Sequence, residues 1–287
     1  MGKIDLEVFE DKFLKKHSIY YELSILIGVD SLCYSIFDNF QQLLGLRKYS
    51  YSQPLASFRD LPGPVSEILG ADPFVNRSFA KVRLSLLHPY VALIPNRLYN
   101  EKEEKSYLEK MLRVEPDDCY FSDELPFADA MAVYPVPREL QERLKTQFPG
   151  AGICHGNSAI SKFFSTYMAS EAPHRMFFNL RDGALQVFAF ENDDLLFMNS
   201  FPFMESTDLV YYLMLVLQQL SWKPEDISVW GSGLLVEDSA IFRNLQRYFP
   251  YFQFLTLPPQ LYRFGPRFEK NARKHWFVDL FSISNFS

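Results

Sequence analysis

At 287 residues and 48% hydrophobic composition, the chain has the length of about two typical domains and enough apolar side chains for a core in each, which excludes global disorder. Its formal net charge of −6 excludes the generic phosphate attraction that carries most nucleic-acid binders. Cys33, Cys119 and Cys154 are odd in number and widely spaced, which points to a reducing compartment rather than to a disulfide framework or a zinc site.

The first residues, through Lys16, include Asp5, Glu7, Glu10 and Asp11 and lack the apolar core of a signal peptide. The longest apolar run, Leu209 to Leu217, falls well short of the roughly 20 residues that a membrane-spanning helix needs, and it reads as buried helix. A cytoplasmic protein without a transmembrane segment is the expectation.

Tyr20 to Gly28, Leu32 to Phe37 and Phe40 to Arg47 predict a β-meander, with turns at Val29-Asp30-Ser31 and Asp38-Asn39. After a Pro/Gly break at Leu61 to Pro64 comes an alternating strand, with Ala80, Val82, Leu84 and Leu86 on one face and Lys81, Arg83 and Ser85 on a wet one. Asn100 and Glu103 form a capping-box-like helix start. Glu101 and Glu104 suit its positive end, and Lys110 and Arg113 its negative end. The acidic stretch Glu115, Asp117, Asp118, Asp123, Glu124 and Asp129 matches no calcium-loop spacing and reads as a solvated loop. There follow a strand Ala130 to Val136, a helix begun by Pro137 and stopped by Gly150, and a short strand to Cys154. A helix from Asn157 or Ser158, with Ile160, Phe163, Phe164 and Tyr167 on one face, closes a first lobe of residues 1–168.

Residues 169–287, the second lobe, open in the same way. Strands Arg175 to Leu180, Ala184 to Phe190 and Leu195 to Phe201 are joined by turns at Asp182-Gly183 and Asn192 to Asp194. Ser206 or Thr207 caps a helix to about Ser221, and a strand Ile227 to Trp230 runs into Gly231-Ser232-Gly233. A helix Glu237 to Phe249 and a strand Gln253 to Leu257 follow. Arg263, Arg267, Lys270, Arg273, Lys274 and His275 then precede the apolar Trp276 to Val278, Leu280 and Phe281. This basic, aromatic tail either packs on its own protein or offers an interaction surface.

A meander followed by alternating helices and strands, occurring twice, resembles the duplicated ribonuclease-H-like fold of the actin-like ATPases (the ASKHA group), which includes actin, sugar kinases and heat-shock chaperone ATPase domains. Ala130 to Leu140 and Phe148 to Cys154 resemble the strand, helix and strand of actin-like subunits of type IV pilus and type II secretion machinery, which also enter their second lobe after an apolar helix comparable to Ala159 to Met168. The likeness covers roughly residues 18–257 in element order. The chain is likewise similar to a Bacteroidetes-type bacterial family of unknown function with this fold.

The resemblance implies an Asp-x-Gly turn at the first hairpin of each lobe, where glycine admits phosphate to backbone N–H groups and the carboxylate holds Mg²⁺. Here Gly28 and Asp30 occur in the reverse order, and Asn179-Leu180-Arg181 stands in the second position, followed by Asp182 and Gly183. Gly231, Ser232 and Gly233 sit where members of the group approach adenosine, after a strand and before a helix. These nine residues are the candidate nucleotide site, and ordinary hairpin and turn chemistry is the competing account. No catalytic or metal-ligating residue emerges. There is no Gly-x-Ser-x-Gly elbow, Cys154 and His155 point to opposite faces of a strand, and Glu22, the one acid in the first meander strand, lacks the partners a two-metal nuclease requires.

The expected function is therefore a non-catalytic actin-like scaffold or assembly protein acting on protein partners, without a cofactor. The alternative is an ATPase or small-molecule kinase of the same fold, using ATP with Mg²⁺, the phosphates held by Arg181, Gly183 and Gly233. A third possibility is peptide binding along a sheet edge.

Overall fold

The computed structural model describes residues 2–168 and 172–286. Alternating Ile4, Leu6 and Val8 make β1 (Lys3–Phe9) a half-exposed strand. The meander is β2 (Glu22–Gly28), β3 (Ser31–Phe37) and β4 (Leu43–Ser50), buried along most of its length. Pro62 and Pro64 open α1 (Pro62–Ala71) instead of breaking the chain, since proline in a first helical turn forfeits no hydrogen bond. β5 (Lys81–Leu87) follows.

An inserted unit comprises β6 (Ala92–Pro95), α2 (Glu104–Leu108), β7 (Asp118–Leu125) and β8 (Ala130–Pro137). Then come α3 (Arg138–Gln147), β9 (Gly152–His155) and α4 (Gly156–Tyr167). The second lobe runs β10 (His174–Arg181), β11 (Ala184–Glu191), β12 (Asp194–Pro202), α5 (Ser206–Leu220), β13 (Ser228–Gly233), α6 (Ala240–Tyr248) and β14 (Phe252–Phe254). It ends in α7 (Pro266–Asn271) and α8 (Val278–Ser282). The expected lobe boundary at 168/169 abuts residues 169–171, which lie outside the described residues.

Among the described residues the first sheet orders its strands β1-β4-β3-β2-β5-β9 and the second β12-β11-β10-β13-β14. Apart from the added β1, the two orders are the same. In each lobe an antiparallel meander leads into two strands that join it in parallel, β5 and β9 in one and β13 and β14 in the other. This is the duplicated actin-like architecture. The strands β6-β8-β7 form a small antiparallel sheet on the first lobe.

Several expectations are corrected by context. β5 lies between β2 and β9, so Ser85 is fully buried, and Arg83 is mostly covered and paired with Glu22 at 2.6 Å; of the expected wet face only Lys81 is exposed. The middle of the acidic stretch is strand β7 rather than a solvated loop: Asp118 is buried against Arg59 at 2.6 Å and Asp123 beneath Tyr134, while Asp117, Glu124 and Asp129 are exposed. The helix after Asn100 is a short 3-10 turn followed by α2, which ends at Leu108 before reaching Lys110 or Arg113; Asn100 caps through the Lys102 N–H. α5 is capped by a reciprocal Glu205/Asp208 pair, leaving Ser206 as its first residue.

The apolar part of the tail packs on its own protein, while Arg263, Arg267, Lys270, Arg273 and Lys274 stay exposed. Val278, Leu280, Phe281 and Ile283 are buried in the core that joins the lobes, and the Tyr262 hydroxyl donates to the Phe281 carbonyl at 2.8 Å. Glu10 caps α7 by accepting from the Phe268 N–H at 2.9 Å. α4 packs against β5, β9 and β12, and α8 against β2, β3 and β13, so each lobe-ending helix bridges both sheets.

Candidate functional site

The duplication sets the two first hairpins face to face. β2 ends at Gly28, and the turn Val29-Asp30 leads into Ser31. β10 ends at Arg181, and the turn Asp182-Gly183 leads into β11. Arg181 extends from the second hairpin into the first. Its Nη2 lies 3.0 Å from Asp30 Oδ1 and 2.6 Å from Ser31 Oγ, and its Nε donates to both Asp30 oxygens at 3.1 and 3.2 Å. Its Nη1 donates to Asp279 Oδ2, on the first turn of α8.

The pair with Asp279 is closed off from water, whereas Asp30 is partly buried. Arg181 is 8% exposed and Asp279 1%. Burial opposes the guanidinium charge, but Asp30 and Asp279 outweigh it and hold the Arg181 pKa well above its ordinary value. A neutral layer of hydrogen bonds supports the pair. Asn179 Nδ2 donates to Gln186 Oε1 at 2.9 Å and to Asp279 Oδ2 at 3.2 Å, and Ser232 Oγ donates to Asn179 Oδ1 at 2.9 Å. Tyr51 donates to the Gly28 carbonyl at 2.8 Å. The structure thus gathers Gly28, Asp30, Asn179, Arg181 and Ser232 around one guanidinium.

Gly231, Ser232 and Gly233 are not a strand-to-helix turn. They are the last residues of β13, paired in parallel with Phe178, Asn179 and Leu180. Their small size answers to packing: a Cβ on Gly233, at φ +85°, would sit 2.0 Å from the Leu180 carbonyl oxygen, and one on Gly231 would sit 2.6 Å from the Phe178 ring.

Two cavities flank the guanidinium. One, of 220 Å³, has Asp30, Arg181, Asp182, Gly183 and Ser200 in its wall. The other, of 210 Å³, is bordered by Asp5, Lys48, Leu234, Trp276 and Asp279. Cys33 also borders the second, but burial pushes its thiol up to about 12, which removes it as a nucleophile. Among the described residues no cluster of three or more His, Cys, Asp or Glu could hold a metal ion, and no helix is long and apolar enough to cross a membrane.

Sequence reasoning missed Asp279, the residue that closes the arrangement. Its signal was a lone acid inside the apolar run from Trp276 to Phe281. It also missed a buried cluster behind β5 and β9. His155 Nδ1 accepts from the Asn157 N–H at the start of α4, its Nε2 lies 3.0 Å from the His88 carbonyl, and Asp123 accepts from the His155 N–H at 2.7 Å. Burial lowers His88 to about 4 and His155 well below its ordinary value, and it raises Asp123 to about 6.

Several solved structures share the fold. One from Bacteroides thetaiotaomicron, described as having an actin-like ATPase fold and unknown function, is 17% identical, with a TM-score of 0.76 over 93% of this chain and 98% of that one. The PilM–PilN type IV pilus biogenesis complex matches at 11% identity and a TM-score of 0.59, covering 92% and 97%. The cytoplasmic domain of EpsL, an inner membrane component of the type II secretion system of Vibrio cholerae, matches at 10% identity and 0.50, covering 93% and 95%. None of the curated proteins matches the chain. One family profile spans residues 10–252, so the chain, with its actin-like fold, belongs to the family described as "Protein of unknown function (DUF3822)".

Proposed function

We propose that this protein is a non-catalytic actin-like scaffold or assembly factor, held together by an internal ion pair at the place where the fold would receive phosphates. The observation that carries this is Arg181, whose guanidinium bridges Asp30 of one hairpin and Asp279 of the lobe-joining helix. A cation supplied by the chain itself takes up Asp30, the carboxylate of the first hairpin that would otherwise be free to serve Mg²⁺. Protein partners fit this reading, since PilM is seen in complex with PilN and EpsL is a component of a secretion system. The three cysteines are free, and Cys33 and Cys154 are buried, which supports a reducing, cytoplasmic setting. The division into lobes of residues 1–168 and 169–287 is part of the same proposal.

A second reading, a nucleotide-binding ATPase or kinase, draws on the 220 Å³ cavity beside Arg181, Asp182 and Gly183. A thermal melt with saturating MgATP separates the two. A ligand at a hundredfold excess over its Kd stabilises the native state by about 2.7 kcal/mol. An unchanged midpoint is expected; a saturable rise of several degrees that disappears in an Arg181 variant would overturn the scaffold reading in favour of the enzyme.

A further inference from the structure

Helix α5 is apolar on both of its faces. Leu209, Leu213, Val216 and Leu217 point inward and are buried in the core of the second lobe. On the opposite side Thr207, Tyr211, Met214, Leu215 and Gln218 follow one another at helical spacing, with Tyr211 61% exposed and Leu215 41%, and past the left-handed Ser221 that ends the helix comes Trp222, half-buried against the lobe core and stacked on His174. Tyr211, Met214, Leu215, Gln218 and Trp222 border a shallow surface groove. Such a stripe of Tyr, Met and Leu, with Trp at its end, has the composition of an interface core rather than of a solvated helix.

Two features identify what covers it. From Leu209 to Trp222 the sequence has no Asp, Glu, Lys or Arg, whereas the outer face of α3 carries Arg138, Glu139, Glu142, Arg143 and Lys145. In a twofold contact each charge near the axis meets its own kind, so in a chain of net charge −6 a charge-free stripe is the surface suited to meeting itself. From Tyr211 to Gln218 the stripe is also symmetric about its midpoint. Antiparallel pairing centred between Met214 and Leu215 sets Met214 against Leu215 of a second copy and Tyr211 against Gln218. The apolar pair lies at the centre, and outside it the Tyr211 hydroxyl meets the Gln218 amide, which can accept its proton.

We propose that α5 is the interface of a twofold homodimer of this chain, with the helices antiparallel and the axis passing between Met214 and Leu215. This goes beyond the scaffold reading and does not depend on whether the interlobe cleft binds a ligand.

Sedimentation equilibrium of the full chain, from low micromolar to near-millimolar, tests the association, and single cysteines in a Cys119→Ser background test the register. The expected result is a reversible dimer whose dissociation constant rises at least about tenfold in Leu215→Lys, and in Tyr211→Glu as a second exposed site, with thermal midpoints close to that of the parent chain. Leu215→Cys should cross-link with itself under diamide. Tyr211→Cys alone and Gln218→Cys alone should not, because each lies about 10 Å along the axis from its mate, beyond the reach of a disulfide. A mixture of the two should cross-link. A chain that stays monomeric throughout, a dimer untouched by both charge substitutions, or equal cross-linking at every position overturns the proposal; monomers would leave α5 to a helix of another protein.

Discussion

Replacing Arg181 with methionine keeps the apolar stem of the side chain and removes the guanidinium, leaving two carboxylates facing a gap. The guanidinium holds Asp30 through contacts of 3.0 to 3.2 Å, Ser31 at 2.6 Å, and Asp279 through its other nitrogen. Water does not replace it readily, because Asp279 is almost wholly enclosed. Its remaining hydrogen bonds there come from Asn179 Nδ2 and the Leu280 N–H. Breaking one side of a buried ion pair in this way costs about 3–5 kcal/mol. For a chain of this length that is a fall in Tm on the order of 10 °C.

Urea unfolding followed by the fluorescence of Trp222, Trp230 and Trp276 measures the loss directly. The double change Arg181→Met with Asp279→Asn removes one of the stranded charges and leaves an amide that Asn179 can still meet. It should recover about 1–2 kcal/mol relative to Arg181→Met alone, a non-additivity expected of groups in direct contact. A loss below about 1 kcal/mol in the single variant, or strict additivity in the cycle, refutes the view that this pair ties the lobes together.

Two glycines offer a contrast. Gly233→Ala forces a Cβ into the Leu180 backbone at a positive φ and should cost about 2–4 kcal/mol, whereas Gly183→Ala, at φ +75° with open space around it, should cost about 1 kcal/mol; urea midpoints compare them. The buried cluster around His88 predicts acid sensitivity. His88 has a folded pKa of about 4, below its ordinary 6.5, so its stabilising share is present above 6.5 and is lost as pH falls toward 4, about 2 kcal/mol of it between pH 7 and 5. His155 shifts in the same direction for the same reason. Asp123, raised from 3.8 to about 6, acts oppositely: its share is present below 3.8 and is lost as pH rises through 6, so acidification to pH 5 returns about 1 kcal/mol. Asp123→Asn should therefore steepen the fall in stability between pH 7 and 5 by about that amount, and an unchanged slope in parallel urea titrations would count against the assignment.

The meanders were legible because short apolar runs separated by Asp, Asn and Gly turns are a local signal, and they recur at β2 to β4 and β10 to β12, the largest shift being from the expected Phe40 to Arg47 to the observed Leu43–Ser50. What depended on distant partners was not legible. β7 looks like a solvated loop because Asp118, Asp123 and Glu124 fall within a run of acids from Glu115 to Asp129, yet Asp118 and Asp123 are buried by Arg59 and Tyr134, which come from other elements. Pro62 reads as a break until its position in a first helical turn is known. Of the candidate site, the hairpins could be located and their departure from Asp-x-Gly noted. That Arg181 meets Asp30 across 151 positions of sequence, and Asp279 across 98, is a consequence of the duplication folding back on itself.

The charges around the cleft extend the same argument. Asp5, Asp30, Asp182 and Asp279 border its two cavities, against Arg181 and Lys48. A polyphosphate entering beside these carboxylates would meet repulsion unless a divalent cation came with it or Arg181 turned away from both of its partners, and the latter forfeits the buried ion pairs. A sugar-phosphate or nucleotide site normally shows the reverse balance, with backbone N–H groups and cations directed at the ligand and carboxylates kept for the metal. Here the glycines that might admit phosphate are otherwise engaged: Gly231 and Gly233 are packed against Phe178 and Leu180, and Gly28 is backed by Asp30. On the proposed reading the cleft is a joint rather than a mouth, and the two-lobed frame presents its working surfaces on the outside, where α5 carries the uncharged stripe that the core does not use.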